Sequence, residues 1–315
     1  FAFYKEVNMK IFITGATGFI GTNLVKKLLQ DNHEVVCSVR NTEKARKKLG
    51  EKVTLFPSHS FHNHLKKTIA TCDAVINLAG EPIIKKWTKE NKKLIYDSRI
   101  KTTQKLMQAV DRAYPQPKVV ISASAVGYYG NRGPTTLTEK AFSSGGFLAN
   151  LCDEWERAIR LTGPGKIPNT RLVNLRIGVV LGNGGALKKM LLPFKLGLGG
   201  ILGNGKQYMP WIHIDDMVSI IVESLQNTEI RGPINCVAPN FTTNKKFTKT
   251  LGSVLRRPTI FPVPAFILKL IFGEAACVLL DSQKVYPQKL KDKNFVWKFY
   301  NLRTALKDLV RNEKR

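Results

Sequence analysis

Short apolar runs and longer helical patterns alternate along the first two thirds of the chain. The apolar runs have the length of buried strands, and between them apolar residues recur every three or four positions, as in amphipathic helices. Strands that alternate with helices favour an α/β fold with a doubly wound parallel sheet. Strands are predicted at residues 11–13, 34–39, 53–56, 73–78, 118–123 and 171–180, and helices at 19–29, 89–113 and 150–160.

The first strand runs directly into glycines. The apolar residues 11–13 are followed by Gly15, Gly18 and Gly21, and a helical pattern begins at once. A strand, a tight glycine turn and a helix present a helix N-terminus to a pyrophosphate. Gly15 would permit the turn, Gly18 would let the backbone approach phosphates, and Gly21 would let the helix pack on the strand. We therefore predict an NAD(P)-binding Rossmann-type fold.

The end of the second strand indicates which dinucleotide binds. Residues 34–39 lead into Arg40, and no carboxylate follows before Glu43. An acidic residue here would bind the ribose 2′-hydroxyl of NAD, whereas an arginine suits the 2′-phosphate of NADP. The prediction is NADP(H). The alternative is that Arg40 is one more solvated surface arginine.

The pattern changes after residue 182. Glycines cluster over residues 197–205, but they follow a predicted helix, so we interpret them as a turn or mobile lid and not as a second phosphate loop. We predict an NADP-binding domain over residues 9–182, with strands and helices that return near 207–237. Residues 183–315 would form mainly a smaller C-terminal substrate lobe.

The most apolar stretch is residues 263–280, which contains Pro264, Lys269 and Glu274. It is short for a bilayer span, so a buried or amphipathic helix is predicted and no transmembrane segment. Peripheral contact with a membrane is the alternative.

Composition narrows the choice of partners. The 315 residues include 50 basic and 23 acidic side chains, a formal net charge of +27. The basic residues are spread out and lack interleaved aromatic residues, which favours a solvated lysine-rich surface over nucleic-acid binding. Five cysteines without a CxxC motif are typical of a reducing compartment. His59, His62 and His64 have no completing ligand, so a polar loop is expected and no metal site.

Several motifs together resemble the atypical extended short-chain dehydrogenase/reductases, in the "epimerase family protein" branch known as family 39U. They are GATGFIG (15–21), NLAG (77–80), SASAVGYYG (122–130), LRIGVVLG (175–182), WIHIDD (211–216) and the tail segments 251–274, 282–290 and 303–310. The resemblance covers residues 9–310. It implies cofactor contacts from Gly15, Thr17, Gly18, Phe19, Ile20, Gly21, Arg40, Leu78, Ala79, Gly80 and Ser122.

Hydride transfer in this superfamily uses a serine, a tyrosine and a lysine four residues after the tyrosine. Ser124 matches the serine. Residues 145–156 read GGFLANLCDEWE, so Phe147 or Leu148 replaces the tyrosine, and Leu151 or Cys152 replaces the lysine. None of these four can shuttle a proton as the tyrosine and lysine would.

Two tyrosines offer a replacement, because Tyr128 and Tyr129 follow a parallel strand at the end where ligands bind. The candidate catalytic residues are therefore Ser124, Tyr128 and Tyr129. The alternative is that both tyrosines pack in the cleft wall.

Five residues in or near the late motifs are weaker candidates for the site. At least one of Asp215 and Asp216 is expected to cap a helix, and His213 is expected to be a core histidine more than a substrate contact. Lys206 and Gln207 could reach a substrate from the glycine loop, on fold analogy alone.

The predicted function is an NADP(H)-dependent oxidoreductase or epimerase that acts on an unknown small molecule. Because the tyrosine and lysine are missing, the alternative is a non-catalytic NADPH-binding accessory subunit of a larger, mitochondrial respiratory assembly with protein partners. The sequence pI of 10.0 and the start at Phe1, which suggests a processed product or a fragment, favour the mitochondrial matrix over the cytoplasm.

Overall fold

The computed structural model describes residues 8–160, 167 and 169–312. The strands are β1 Lys10–Thr14, β2 Glu34–Val39, β3 Thr54–Pro57, β4 Ala74–Asn77, β5 Val119–Ala125, β6 Thr136–Leu137, β7 Arg171–Ile177, β8 Val179–Gly182, β9 Trp211–His213, β10 Gly232–Cys236 and β11 Lys284–Val285. The helices are α1 Phe19–Gln30, α2 Thr42–Leu49, α3 Phe61–Ala70, α4 Lys89–Asp97, α5 Ile100–Asp111, α6 Phe147–Arg160, α7 Gly185–Lys195, α8 Ile214–Gln226, α9 Asn244–Leu255, α10 Ala265–Phe272, α11 Cys277–Leu280, α12 Gln288–Asp292 and α13 Leu302–Asn312.

Seven strands form one parallel sheet in the order β10-β7-β5-β4-β1-β2-β3. The chain builds outward from β1 to β3 on one side and from β4 to β10 on the other, so the order reverses between β1 and β4. Ligands of such sheets bind at this reversal, beyond the carboxyl ends of the strands. The predicted α/β fold is confirmed.

Both faces of the sheet are covered by helices. Helices α1 and α8 bury Leu24, Leu28 and Ile221 against one face, and α3, α5 and α6 cover the other. A separate core lies between α7, α9 and α13, around Phe247 and Leu306. This second core packs against β8 and β9, while β10 joins the main sheet and α8 packs in the main core.

Asn77 joins the carboxyl ends of three strands. Its side chain accepts a hydrogen bond from the Thr14 hydroxyl at 2.6 Å and donates to Ser122 at 3.1 Å and to Thr103 at 2.8 Å. All four residues are buried. The edge of the sheet where the cleft begins is therefore held by side chains as well as by the strand ladder.

Two predicted elements are wrong in extent. The helix predicted over residues 89–113 breaks between α4 and α5 at Ser98 and Arg99, because both side chains turn toward the end of β4. The Ser98 hydroxyl accepts from the Glu81 amide at 3.0 Å, and the Arg99 guanidinium donates to the Glu81 carbonyl at 3.0 Å. The strand predicted over residues 171–180 divides at Gly178, where a Cβ would lie 2.8 Å from the Pro210 carbonyl oxygen.

The apolar stretch 263–280 forms α10, a 3-10 turn and α11 instead of one helix. Two backbone hydrogen bonds join the glycine loop 197–205 to Val263, the first residue of this apolar stretch. The Val263 amide donates to the Ile201 carbonyl oxygen at 2.8 Å, and the Gly203 amide donates to the Val263 carbonyl oxygen at 2.9 Å. No helix among the described residues is long and apolar enough to cross a bilayer.

The described residues contain no cluster of three or more His, Cys, Asp or Glu side chains arranged to hold a metal. His59 and His64 are exposed. Phe1 and the His62 side chain lie outside the described residues.

Candidate functional site

The glycine turn forms a cradle that only glycine can line. Gly15 has φ of +73°, and a Cβ on it would lie 2.5 Å from the Leu78 carbonyl group. A Cβ on Gly21 would lie 2.3 Å from the Gly15 oxygen. The end of β1, the end of β4 and the start of α1 are thus in backbone contact. Gly18 caps α1 without a side chain, which leaves the helix N-terminus accessible to an anion.

The flanking residues fit a bound dinucleotide. Leu78, Ala79 and Gly80 continue from β4 beside the cradle, and the Leu78 amide bonds Thr14 at 3.0 Å. Gly80 packs on the Arg99 guanidinium, 3.1 Å from where its Cβ would be. The phosphate end of this site is therefore shaped by backbone, as pyrophosphate binding requires.

Two cations lie near this cradle. Arg40, at the end of β2, is mostly exposed and pairs with Glu81 at 3.2 Å. Lys48, at the end of α2, donates to the Thr17 carbonyl oxygen of the glycine turn at 2.7 Å. The sequence analysis missed Lys48, because a lysine run over residues 44–48 does not reveal which of its members faces the turn.

Phe19 and Ile20 support the cradle from behind. The Phe19 ring packs on the turn after β8, where a Cβ on Gly182 would lie 2.5 Å from its Cζ atom, and Ile20 packs against the main core. Ser122 is fully buried, and its hydroxyl bonds Asn77 instead of facing the cleft. The contact predicted for Ser122 can come only from its backbone.

A buried ion pair lies behind Ser124. Arg176, from β7, donates to both carboxylate oxygens of Glu156, from α6, with Nε at 2.8 Å from Oε1 and Nη2 at 2.9 Å from Oε2. Each side chain is 3% exposed. The Ser124 hydroxyl donates to the same Oε1 at 2.8 Å. Burial alone would lower the pKa of Arg176, but its bonds to Glu156 raise that pKa overall.

The two candidate tyrosines have different surroundings. The Tyr129 hydroxyl accepts from Arg176 at 2.9 Å and donates to Asn235 at 2.7 Å, and the residue is fully buried. Burial raises the pKa of Tyr129 to about 12. Tyr128 is only partly buried, and its ring covers the Arg176 guanidinium at 3.6 Å from the ring centroid. Arg176 thus contacts both rings, but of the two tyrosines only Tyr128 is partly exposed.

The positions of the missing tyrosine and lysine are apolar in the structure. Leu148 and Cys152 lie on the side of α6 that faces Gly127, with Leu148 Cβ at 3.5 Å and Cys152 Sγ at 3.7 Å from where its Cβ would be. Burial raises the pKa of the Cys152 thiol to about 12. Phe147 packs edge-on against Trp87, with ring centroids 4.9 Å apart, and Leu151 is in the core. No proton shuttle is restored here.

Glu156 and Arg176 were also missed by the sequence analysis. Arg176 is a charge between two apolar residues of a mostly buried strand, and Glu156 follows Cys152 by one helical turn on the same face. A charge in a buried strand needs a partner. That signal was present, but the partner could not be identified without the fold.

The late motif WIHIDD is structural. His213 Nδ1 accepts from the Asp215 amide at 3.1 Å and so caps α8, and its ring stacks on Phe299. Asp216 accepts from the amides of Lys298 and Phe299 at 2.8 and 3.0 Å. The expected carboxylate cap is therefore wrong: His213 caps the helix, and Asp216 fastens the C-terminal segment.

Lys206 and Gln207, the two candidate residues of the glycine loop, differ in burial. The Gln207 side chain donates to the carbonyl oxygens of Leu202 and Leu279 and is buried, so it holds the lobe together, whereas Lys206 is exposed. A cavity of about 580 Å³ lies beside them, and its lining includes Asn131, Gln207, Lys269, Glu274, Cys277 and Asp281. Its lining comes from the glycine loop, from residues 265–281 and from Asn131, and includes neither Ser124 nor Tyr128.

A Rossmann sheet, a glycine cradle with a basic residue after β2 and a serine at the end of β5 define a short-chain dehydrogenase/reductase of the extended, atypical type. The chain belongs to the NAD dependent epimerase/dehydratase family, which matches residues 11–236, and a domain of unknown function (DUF1731) matches residues 263–309.

Named relatives extend this assignment. The chain is 39% identical to "Epimerase family protein SDR39U1 homolog, chloroplastic" of Arabidopsis thaliana, over 97% of this chain and 88% of that protein. It is 38% identical to human "Epimerase family protein SDR39U1", over 96% and 100%. The crystal structure of human SDR39U1 (isoform 2) with NADPH matches with a TM-score of 0.85 at 36% identity, covering 96% of this chain and 100% of that one.

These comparisons bear on two further expectations. They give no support to the accessory-subunit alternative. They also give none to mitochondrial placement, since the plant relative is named chloroplastic and another relative is from Bacillus subtilis.

Proposed function

We propose that the protein is an NADP(H)-dependent oxidoreductase or epimerase in which Ser124 and Tyr128 bind the oxygen of the reacting substrate carbon. The observation that carries the proposal is the hydrogen bond from Ser124 to the buried Glu156–Arg176 pair, beside an intact dinucleotide cradle. Arg40 and Lys48 supply positive charge on the adenosine side, and the human relative was crystallised with NADPH. NADP(H) is therefore the cofactor.

Gly15, Gly18 and Gly21 would hold the pyrophosphate of NADP(H), which when bound would supply or accept a hydride at the substrate carbon. The chain's own residues must bind the substrate oxygen and move its proton. Both carboxylate oxygens of Glu156 accept hydrogen bonds from Arg176, and a carboxylate has no hydrogen to donate. Ser124 has one hydrogen and gives it to Glu156. Its remaining lone pairs accept, so Ser124 binds the hydroxyl form of the substrate.

Tyr128 supplies the hydrogen-bond donor that Ser124 lacks. A carbonyl oxygen needs a hydrogen-bond donor, and a phenol can donate to the carbonyl or accept from the hydroxyl. Its ring is fixed on the Arg176 guanidinium, so the hydroxyl is aimed without a lysine partner. Tyr128 is therefore the proton donor for reduction, and Tyr129 holds Arg176 from the buried side.

Matched tyrosine variants test these roles. The purified protein is loaded with NADPH, whose oxidation is followed while aldehydes, ketones and quinones are added. With any acceptor that reacts, Tyr128→Phe should lower kcat about a hundredfold or more, the scale of a lost acid catalyst. Tyr129→Phe should lower the unfolding temperature and leave kcat within about threefold.

Ser124→Ala should raise KM for the alcohol in the reverse direction more than it raises KM for the carbonyl. Equal kcat in Tyr128→Phe and the wild type would refute the proton-donor role. NADPH that remains bound and is oxidised by none of the acceptors would refute the oxidoreductase.

A further inference from the structure

Helix α10 and the segment before it carry large apolar side chains on the surface. Phe266 is 70% exposed and Leu270 79%, whereas Leu268, on the other side of the helix, is buried. Ile260 and Phe261 are also mostly exposed. We call Ile260, Phe261, Phe266 and Leu270 the apolar face.

The end of α7 extends this surface. Leu196 and Leu198 are about as exposed as Phe266, and the chain that follows them lies against the apolar face. A Cβ on Gly200 would overlap the Phe261 carbonyl oxygen, and the Val263 amide donates a hydrogen bond to the Ile201 carbonyl oxygen at 2.8 Å. Large apolar side chains that adjoin one another on a protein surface mark an interaction site.

The segments that form this surface carry charge of one sign. Residues 183–214 and 230–273 contain eleven basic residues and not one Asp or Glu. Arg256, Arg257 and Lys269 are exposed within or directly beside the apolar face. The eleven are Lys188, Lys189, Lys195, Lys206, Arg231, Lys245, Lys246, Lys249, Arg256, Arg257 and Lys269.

We propose that the apolar face docks on an anionic lipid bilayer. Phe266 and Leu270 enter the boundary between headgroups and acyl chains, and Arg256, Arg257 and Lys269 bind the lipid phosphates. The helix has eight residues, so it lies along the surface and does not span. A second copy of this chain is the poorer occupant, because two faces of like charge repel.

Vesicle flotation of the full chain tests the proposal. One set of vesicles is phosphatidylcholine alone, and in the other about a third of the lipid is phosphatidylglycerol. The protein should float with the anionic vesicles at about 0.1 M salt, remain behind with the neutral ones, and bind less as salt rises. The double variant Phe266→Asp, Leu270→Asp should bind anionic vesicles at least about tenfold more weakly.

Two controls isolate the face. Tyr114→Asp places the same charge at a 93% exposed aromatic residue between α5 and β5 and should bind as the wild type does. Arg256→Asn with Arg257→Asn should weaken binding about tenfold or more, and Lys66→Asn with Lys67→Asn, which removes equal charge from α3, should weaken it far less. Each variant is first shown to unfold at the wild-type temperature.

Some results would overturn the proposal. The first is wild-type protein that does not bind anionic vesicles. The second is binding by the Phe266→Asp, Leu270→Asp variant that is as tight as that of the wild type. The third is a loss of binding in Tyr114→Asp that equals the loss in that double variant. A wild-type dimer that Phe266→Asp converts to a monomer would assign the face to a second copy instead.

Discussion

The Ser124 hydroxyl lies 2.8 Å from Oε1 of Glu156, across the contact between strand β5 and helix α6. Ser124 is itself only 2% exposed, and its hydroxyl is oriented by a carboxylate that Arg176 holds in place. In the usual arrangement a tyrosine and a lysine on this helix would face the cleft directly. Here the helix contributes its charge one turn after the position of that lysine, on the buried side, so the ion pair orients Ser124 and Tyr128 and in the proposed mechanism does not itself transfer a proton.

Breaking the Glu156–Arg176 pair should destabilise the fold strongly. Glu156→Met leaves a buried guanidinium without its carboxylate, which costs about 3–5 kcal/mol of unfolding free energy. Replacing both partners by Met removes the unpaired charge, so the double variant should be more stable than either single variant. Urea unfolding measures each value. Arg157→Met, which removes an exposed ion pair with Asp153 on the same helix, should cost less than about 1 kcal/mol.

The double variant also separates stability from positioning. It should fold, yet turnover should fall because Ser124 has lost its acceptor and Tyr128 its guanidinium. A double variant with unchanged turnover would show that the pair serves stability alone.

Arg40 and Lys48 should affect cofactor binding differently. Arg40→Asp removes a partner of the 2′-phosphate and adds a like charge, so affinity for NADPH should fall about a hundredfold while NADH binds as well or better. Lys48→Met removes a bond to the Thr17 carbonyl oxygen of the glycine turn, so both cofactors should bind a few fold more weakly. Isothermal titration with each dinucleotide measures this. Lys47→Met, an exposed neighbour, is the control, and an Arg40→Asp variant that still prefers NADPH would contradict the assignment.

Gly15 and Gly50 form a matched pair for testing the cradle. Both have positive φ, +73° and +79°, but only Gly15 has backbone atoms where a Cβ would go. Gly50→Ala should cost about 1–3 kcal/mol from backbone strain alone, because its ψ of −175° lies in a region that is essentially restricted to glycine. Gly15→Ala adds a clash with Leu78, so it should cost about 2–5 kcal/mol and weaken NADPH binding at least about tenfold. Equal losses of stability in both variants would mean that backbone strain, and not the close contact with Leu78, is the reason that residue 15 is glycine.

The fold and the cofactor cradle could be predicted because they depend on local pattern. Gly15, Gly18 and Gly21 have a spacing that one strand-turn-helix unit requires, and Arg40 follows a strand directly. Lys48 and Glu156 escaped prediction because their roles depend on which side of a helix faces a distant segment. The Ser98–Arg99 break was missed for a related reason: a helical period continues through it, and the contacts that interrupt it come from Glu81.

His213 should make stability depend on pH. Burial lowers its pKa below the ordinary 6.5, against the opposing influence of Asp215 and Asp308, so the folded protein holds the neutral ring and the unfolded chain takes up a proton first. Unfolding free energy is then unaffected well above pH 6.5 and falls as pH drops through 6.5 toward the lower folded-state pKa. Protonation of Nδ1 would also remove the acceptor that caps α8 through the Asp215 amide.

The matching variant is His213→Asn, since asparagine retains a capping acceptor and does not titrate. It loses the stacking on Phe299 and so should be about 1–2 kcal/mol less stable at pH 7.5. Between about pH 6.5 and 5, however, its unfolding free energy should fall less steeply than that of the wild type. The slope is smaller because the variant takes up one fewer proton on unfolding. Urea titrations at several pH values measure both slopes. His64→Asn removes an exposed histidine far from α8 and should retain the wild-type slope; if His213→Asn retains it too, the pH dependence arises elsewhere and His213 serves only to cap and pack.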